Sequence, residues 1–149
     1  MNPAVLGVVA AAFVAGLCMA LQAPTNALLS RGVGSPVNAA LLSFLVGLVA
    51  LALVAFGLGV RPNMVEVRSL PWFAWIGGLY GAVFVVIAAI AAPRLAITLF
   101  FIVVLGGQLA MATYLDKVGA FGVTPHAIGL GRIAGLFLVV AGAWLVQQR

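Results

Sequence analysis

Five long apolar runs, residues 4–29, 36–59, 72–91, 95–115 and 127–146, fill most of this chain and leave only short polar breaks between them. A helix rises about 1.5 Å per residue, so ~20 residues cross the ~30 Å hydrocarbon layer of a bilayer, and each run reaches that length. Inside such a layer an unpaired backbone group costs several kcal/mol, so a spanning segment must satisfy its own hydrogen bonds, as a helix does. The runs therefore predict five transmembrane helices in an all-α integral membrane protein, with a single transmembrane domain over residues 1–149.

Composition agrees. Apolar residues make up 66% of the chain and charged ones 6%, and the mean hydropathy is +1.32, outside the range of soluble globular domains. The formal net charge of +5 comes from seven basic residues scattered singly among apolar runs. They form no basic stripe, which argues against a nucleic-acid partner and for membrane-flanking charges. The lone Cys18 has no intrachain disulfide partner. No Lys or Arg precedes the first run, which reads as a retained span rather than a cleaved signal.

The breaks carry turn chemistry: Arg31-Gly-Val-Gly-Ser-Pro36, Arg61-Pro-Asn63, Ala92-Pro-Arg94, and Asp116-Lys-Val-Gly119 onward to Thr124-Pro125. Ser35-Pro36 and Thr124-Pro125 read as helix N-caps followed by proline at the first helical position. Trp72, Trp75 and Trp144 lie near segment ends, as in an interfacial aromatic belt.

One stretch of the first run stands out, Gln22-Ala-Pro-Thr-Asn26. Gln22 and Asn26 sit one helical turn apart on one face. Pro24 between them cannot donate to the carbonyl of Ala20, so the helix should loosen there. Amides and a freed carbonyl in a membrane helix need a neighbouring helix or a water-filled cavity to face. Either interhelical hydrogen bonding or the lining of a substrate pathway satisfies that need.

Five spans make successive loops alternate sides. Arg61, Arg68, Lys117 and Arg132 fall on the side of the N-terminus, and Arg31, Arg94 and Arg149 on the other, four against three. So small a bias scarcely selects one orientation. Dual topology follows as an expectation: two copies inserted in opposite senses form an antiparallel homodimer of ten helices, the inverted repeat on which many transporters are built. Gly77-x-x-x-Gly81 and Gly131-x-x-x-Gly135 provide small-residue spacings for close helix packing, within or between subunits.

Taken together, Gly16 to Ala20, Leu21-Gln-Ala-Pro-Thr-Asn26, Gly34-Ser-Pro36, Ala39 to Gly47 with Ser43-Phe44, Gly77-Gly-Leu-Tyr-Gly81, Ala91-Ala-Pro-Arg94, Gly107-Gln108, and Arg132 with Gly135 resemble the YdcZ-like small membrane proteins of the drug/metabolite transporter superfamily. The resemblance covers nearly the whole chain. It implies a multi-pass inner-membrane exporter or permease that works as a homomer or with a related, paralogous subunit, and it implies no particular substrate. Such proteins often carry a glycine after the Ala-Pro-Arg-Leu stretch. Here it is Ala96, which puts close backbone packing at that point in question.

Small multidrug transporters of the same superfamily depend on a membrane-embedded carboxylate, and the only acids here, Glu66 and Asp116, lie in or beside breaks. Cationic substrates would then meet no fixed negative charge to offset their desolvation. Amides and hydroxyls remain, and they suit a small neutral, zwitterionic or weakly anionic solute. The expected pathway residues are Gln22, Pro24, Asn26, Ser43, Tyr80, Gln108 and Arg132. Arg132 has three readings: its head snorkels to the interface, pairs with Asp116, or contacts substrate.

No enzyme signature is present. His126 is the only histidine and has no ligand partners at metal spacing, and the glycines follow no phosphate-binding pattern. The chain thus reads as a transporter subunit without metal or cofactor, in which an alternating-access path lies between two subunits. A dual-topology channel or facilitator, with the same amides lining a pore, is the first alternative. A non-transporting scaffold or accessory subunit is the second.

Overall fold

The computed structural model describes residues 2–122, 124–125 and 129–147. The described residues are helical wherever they are regular. Among them six α-helices run in order: α1 Pro3–Val33, α2 Pro36–Gly57, α3 Met64–Ser69, α4 Gly77–Leu95, α5 Ile97–Val118 and α6 Leu130–Gln147. Short 3-10 turns cover Trp72–Trp75 and Ala120–Gly122. The chain divides into two compact units, Met1–Arg94 and Leu95–Arg149.

Among the described residues four stretches are long and apolar enough to cross a membrane: Pro3–Val33, Pro36–Gly57, Trp72–Leu95 and Ile97–Val118. In α6 the apolar stretch is shorter, Ile133–Val146. The expected start of a fifth span at Ala127, after Thr124-Pro125, falls on residues outside those described.

Helix ends follow local chemistry. Asn2 caps α1 by accepting from the Ala4 amide at 3.1 Å, and Pro3 fills the first position. α1 runs past the expected stop at residue 29 and through Arg31-Gly32, ending only where Gly34 turns left-handed at φ 74°. At ~1.5 Å per residue α1 is roughly 46 Å long, more than the ~30 Å hydrocarbon layer, so it tilts or projects beyond it. Ser35 then caps α2 through the Asn38 amide at 3.4 Å, with Pro36 at the first helical position, as the sequence predicts. α2 closes with a Schellman motif: Gly59 is left-handed at φ 64°, its amide reaches the Phe56 carbonyl, and the Val60 amide reaches that of Ala55.

The expected break at Ala92-Pro-Arg94 lies slightly further on. α4 carries Pro93 inside its last turn and continues to Leu95. The chain breaks instead at Ala96, which holds φ 65° and ψ 146° and opens α5 with no side-chain cap. A residue with a Cβ rarely takes that conformation, which is close to glycine-only territory. Ala96 is itself exposed. The requirement at this position is therefore one of backbone conformation rather than of packing.

Packing within the first unit rests on small side chains. α1 and α2 form an antiparallel hairpin around the turn at Gly34-Ser35, and α5 packs on α6. Among the described residues the buried apolar positions are Ala23, Ala27, Ala39, Ala40, Ala88, Ala89 and Ala92, with Val85 and Phe100 as the two larger side chains. Large aliphatic and aromatic residues point outward along every span. Small buried and large exposed residues are what helices use when lipid is the solvent, because association there depends on close backbone approach.

Candidate functional site

The polar stretch of the first run is folded into an unbroken helix. α1 continues through Pro24, although proline has no amide to give the Ala20 carbonyl. The Thr25 hydroxyl serves this turn by donating to the carbonyls of Leu21 at 3.0 Å and Gln22 at 2.9 Å. Such back-bonding spends the hydroxyl on the backbone and commonly bends the helix locally.

Gln22 and Asn26 end in different surroundings. Gln22 is exposed and lines a groove of about 320 Å³ with Ser43, Phe44, Gly47, Leu48 and Leu51 of α2. Asn26 is 4% exposed, and its side-chain nitrogen has no hydrogen-bond partner. Counting outward from the two-residue turn, Gln22 stands level with Gly47, and Asn26 level with Ser43, which is half-buried. Ser43 is among the expected pathway residues. The hairpin register brings it to the height of Gln22 and Asn26.

A buried amide that lacks a partner forfeits about 1–3 kcal/mol of solvation, and most native proteins avoid it. Here the cost falls at a turn that proline has already stripped of one internal hydrogen bond. Along α1, Asn26 lies roughly 10 Å and Gln22 roughly 16 Å from the last helical residue, Val33, at ~1.5 Å per residue. With the turn at one interface, that depth approaches the middle of a ~30 Å layer.

The other expected pathway residues lie on other elements of the chain. Tyr80 lies in the first turn of α4 and is 64% exposed. Gln108 belongs to the second unit, on α5, and is exposed. Position 132 lies in the first turn of α6, and the Arg132 side chain is outside the described residues.

The glycine spacings are used unequally. A Cβ built on Gly81 would come 3.3 Å from Cζ of Phe44, so this glycine admits the α2 ring within the same chain. Gly77, Gly131 and Gly135 face open space at the Cβ position.

A second groove escaped the sequence reading. Leu109, Ala112, Thr113 and Asp116 of α5, with Gly135, Leu136 and Val139 of α6, line about 510 Å³. Asp116 is half-buried in the last turn of α5, beside the expected break. The Thr113 hydroxyl donates to the Leu109 carbonyl at 2.7 Å. Spacings of three and four residues on α5 mark these positions as one face, but only the pairing with α6 shows that the face lines a groove. Among the described residues no group of His, Cys, Asp and Glu could hold a metal ion.

Comparison with known proteins agrees with this architecture. Residues 7–145 match the family described as "Putative inner membrane exporter, YdcZ". The chain is 29% identical over 136 residues to "Inner membrane protein YdcZ" of Escherichia coli (strain K12), an alignment covering 91% of each chain. No solved structure matches the chain. With apolar helices of spanning length and a family match over almost its whole length, the chain is a multi-pass inner membrane protein and belongs to the YdcZ family.

Proposed function

We propose that this protein exports a small neutral, zwitterionic or weakly anionic solute, and that Gln22, Asn26 and Ser43 form the polar part of its path. The observation that carries the reading is Asn26, buried to 4% exposure with an unpartnered amide nitrogen beside a proline turn. Such a group holds a donor ready for a solute oxygen, and α1 and α2 supply the other polar contacts from Gln22 and Ser43. The path is completed by a second copy inserted in the opposite sense, and the two halves rock to expose it alternately to each side. The near-even Lys/Arg count across the predicted loops supports that pairing.

The test is a thermal-stabilisation screen of the purified protein with small sugars, neutral amino acids and short monocarboxylates, followed by flux of any hit in proteoliposomes. A ligand that binds only the folded state raises its stability. Asn26→Leu should keep the fold, because replacing an unpaired buried amide by an apolar group of similar size is close to neutral or stabilising. The same change should abolish both the ligand-induced shift and the flux. Undiminished flux in Asn26→Leu would assign Asn26 to helix packing and refute its place in the path.

A further inference from the structure

Residues 58–71 connect α2 to the span that opens at Trp72, so they run along one surface of the bilayer. They are well organised there. The Schellman motif closes α2 at Gly59, and Asn63 caps α3 by accepting from the Val65 amide at 3.2 Å. The Ser69 hydroxyl ties back to the Glu66 carbonyl at 2.8 Å. Glu66 in the first turn and Arg68 in the last both suit the helix dipole.

The two charges of α3 do not share a face. At about 100° per residue, Met64, Arg68, Val65 and Ser69 fall on one side, and Glu66 falls outside that arc. These four residues line an open depression of about 510 Å³, whose lining holds one guanidinium and no carboxylate. Arg61, two residues before the cap, adds a second exposed cation to the same loop. Beside the arginines the loop and the following turn expose apolar and aromatic side chains: Met64, Val65, Trp72 and Trp75. A soluble anion would gain nothing from those residues. An amphiphile would use both kinds, because tryptophan settles at the glycerol level of a bilayer while arginine binds phosphate oxygens.

We propose that this loop is a binding site for the phosphodiester headgroup of an anionic phospholipid, with Arg68 and Arg61 on the phosphate and Trp72 and Trp75 against the glycerol and upper acyl region. The site is independent of the transport path on α1. It anchors the loop between two spans to one leaflet chemistry.

Tryptophan fluorescence reads the site directly once Trp144→Phe leaves Trp72 and Trp75 as the only reporters. The protein is placed in phosphatidylcholine nanodiscs doped with equal mole fractions of either dibrominated phosphatidylglycerol or dibrominated phosphatidylcholine. The anionic quencher should be favoured about fivefold, the equivalent of about 1 kcal/mol for a cation near an anionic surface. Arg68→Gln should remove most of that preference and Arg68→Lys should retain much of it. Quenching by the neutral lipid should be unchanged in both, which verifies that each variant inserts and folds. Equal quenching by the two lipids, or a preference indifferent to Arg68→Gln, would overturn the proposal. So would loss of the preference on adding soluble glycerol phosphate, because the site would then be one for a free anion.

Discussion

Replacing Ala96 with glycine should make this protein more stable, against the usual direction of a helix-to-glycine change. Ala96 is held at φ 65° and ψ 146° between α4 and α5. A non-glycine residue in so sparsely populated a region stores about 1–3 kcal/mol of strain. Glycine releases the strain but brings extra freedom to the unfolded chain, which returns about 0.5–1 kcal/mol of the gain. The mid-range net stabilisation is about 1 kcal/mol, or a rise of roughly 2–4 °C in midpoint for a chain of this size. Thermal unfolding in a mild detergent, followed by far-ultraviolet circular dichroism, measures it. Two controls fix the sign. Ala110→Gly, on an exposed position within α5, should lose about 1 kcal/mol because its backbone is already helical. Ala96→Val should also lose stability, because a β-branched side chain fits a positive φ worse than alanine does. If Ala96→Gly melted at or below the native midpoint, the strain assigned to this junction would be refuted.

The remaining predictions concern the path, the loop, the packing and the assembly. Asn26→Leu should leave the melting midpoint equal or higher while ligand-induced stabilisation and flux disappear, as measured by thermal shift and proteoliposome uptake. Arg68→Gln should flatten the preference for brominated phosphatidylglycerol without altering insertion. Gly81→Val should cost about 1–3 kcal/mol, because a Cβ added there would come 3.3 Å from the Phe44 ring and the valine methyls would overpack the contact further. Gly77→Val, at a position open to 4 Å, serves as the comparison and should cost less unless it faces a second subunit. Tags at the two termini, probed in intact cells, should label in both orientations in comparable amounts. A single orientation would sink the antiparallel homodimer.

The membrane class and the starts of the first helices were legible in the sequence because they depend on local rules. A twenty-residue apolar run admits little else, and Ser35-Pro36 and Gly59 act through their own backbone geometry. Boundaries that depend on where a tolerated residue stops being tolerated were less so. Gly32 stays helical while Gly34, two residues later, turns left-handed, and Pro93 rides inside the last turn of α4 while Ala96 takes the break. For the site, the pattern Gln22-x-x-x-Asn26 put two amides one turn apart on α1. It did not reveal that Gln22 is exposed in a groove while Asn26 is buried and unpaired, since that depends on what α2 places opposite each. The Phe44 contact on Gly81 and the groove of Thr113 and Asp116 were illegible for the same reason. Both require the register between helices, which apolar runs of near-uniform composition do not encode.

The interior of small side chains inverts the usual way of finding what matters in a protein. Truncating most of the leucines and valines on the spans removes little that the chain itself touches, so large-to-small scanning would return mostly silence. Enlargement is the informative perturbation: adding bulk at Ala23, Ala27, Ala39, Ala40 or Ala88 pushes helix backbones apart where their separation is the bonding interaction. The tolerance of each position to added volume therefore maps where helices meet.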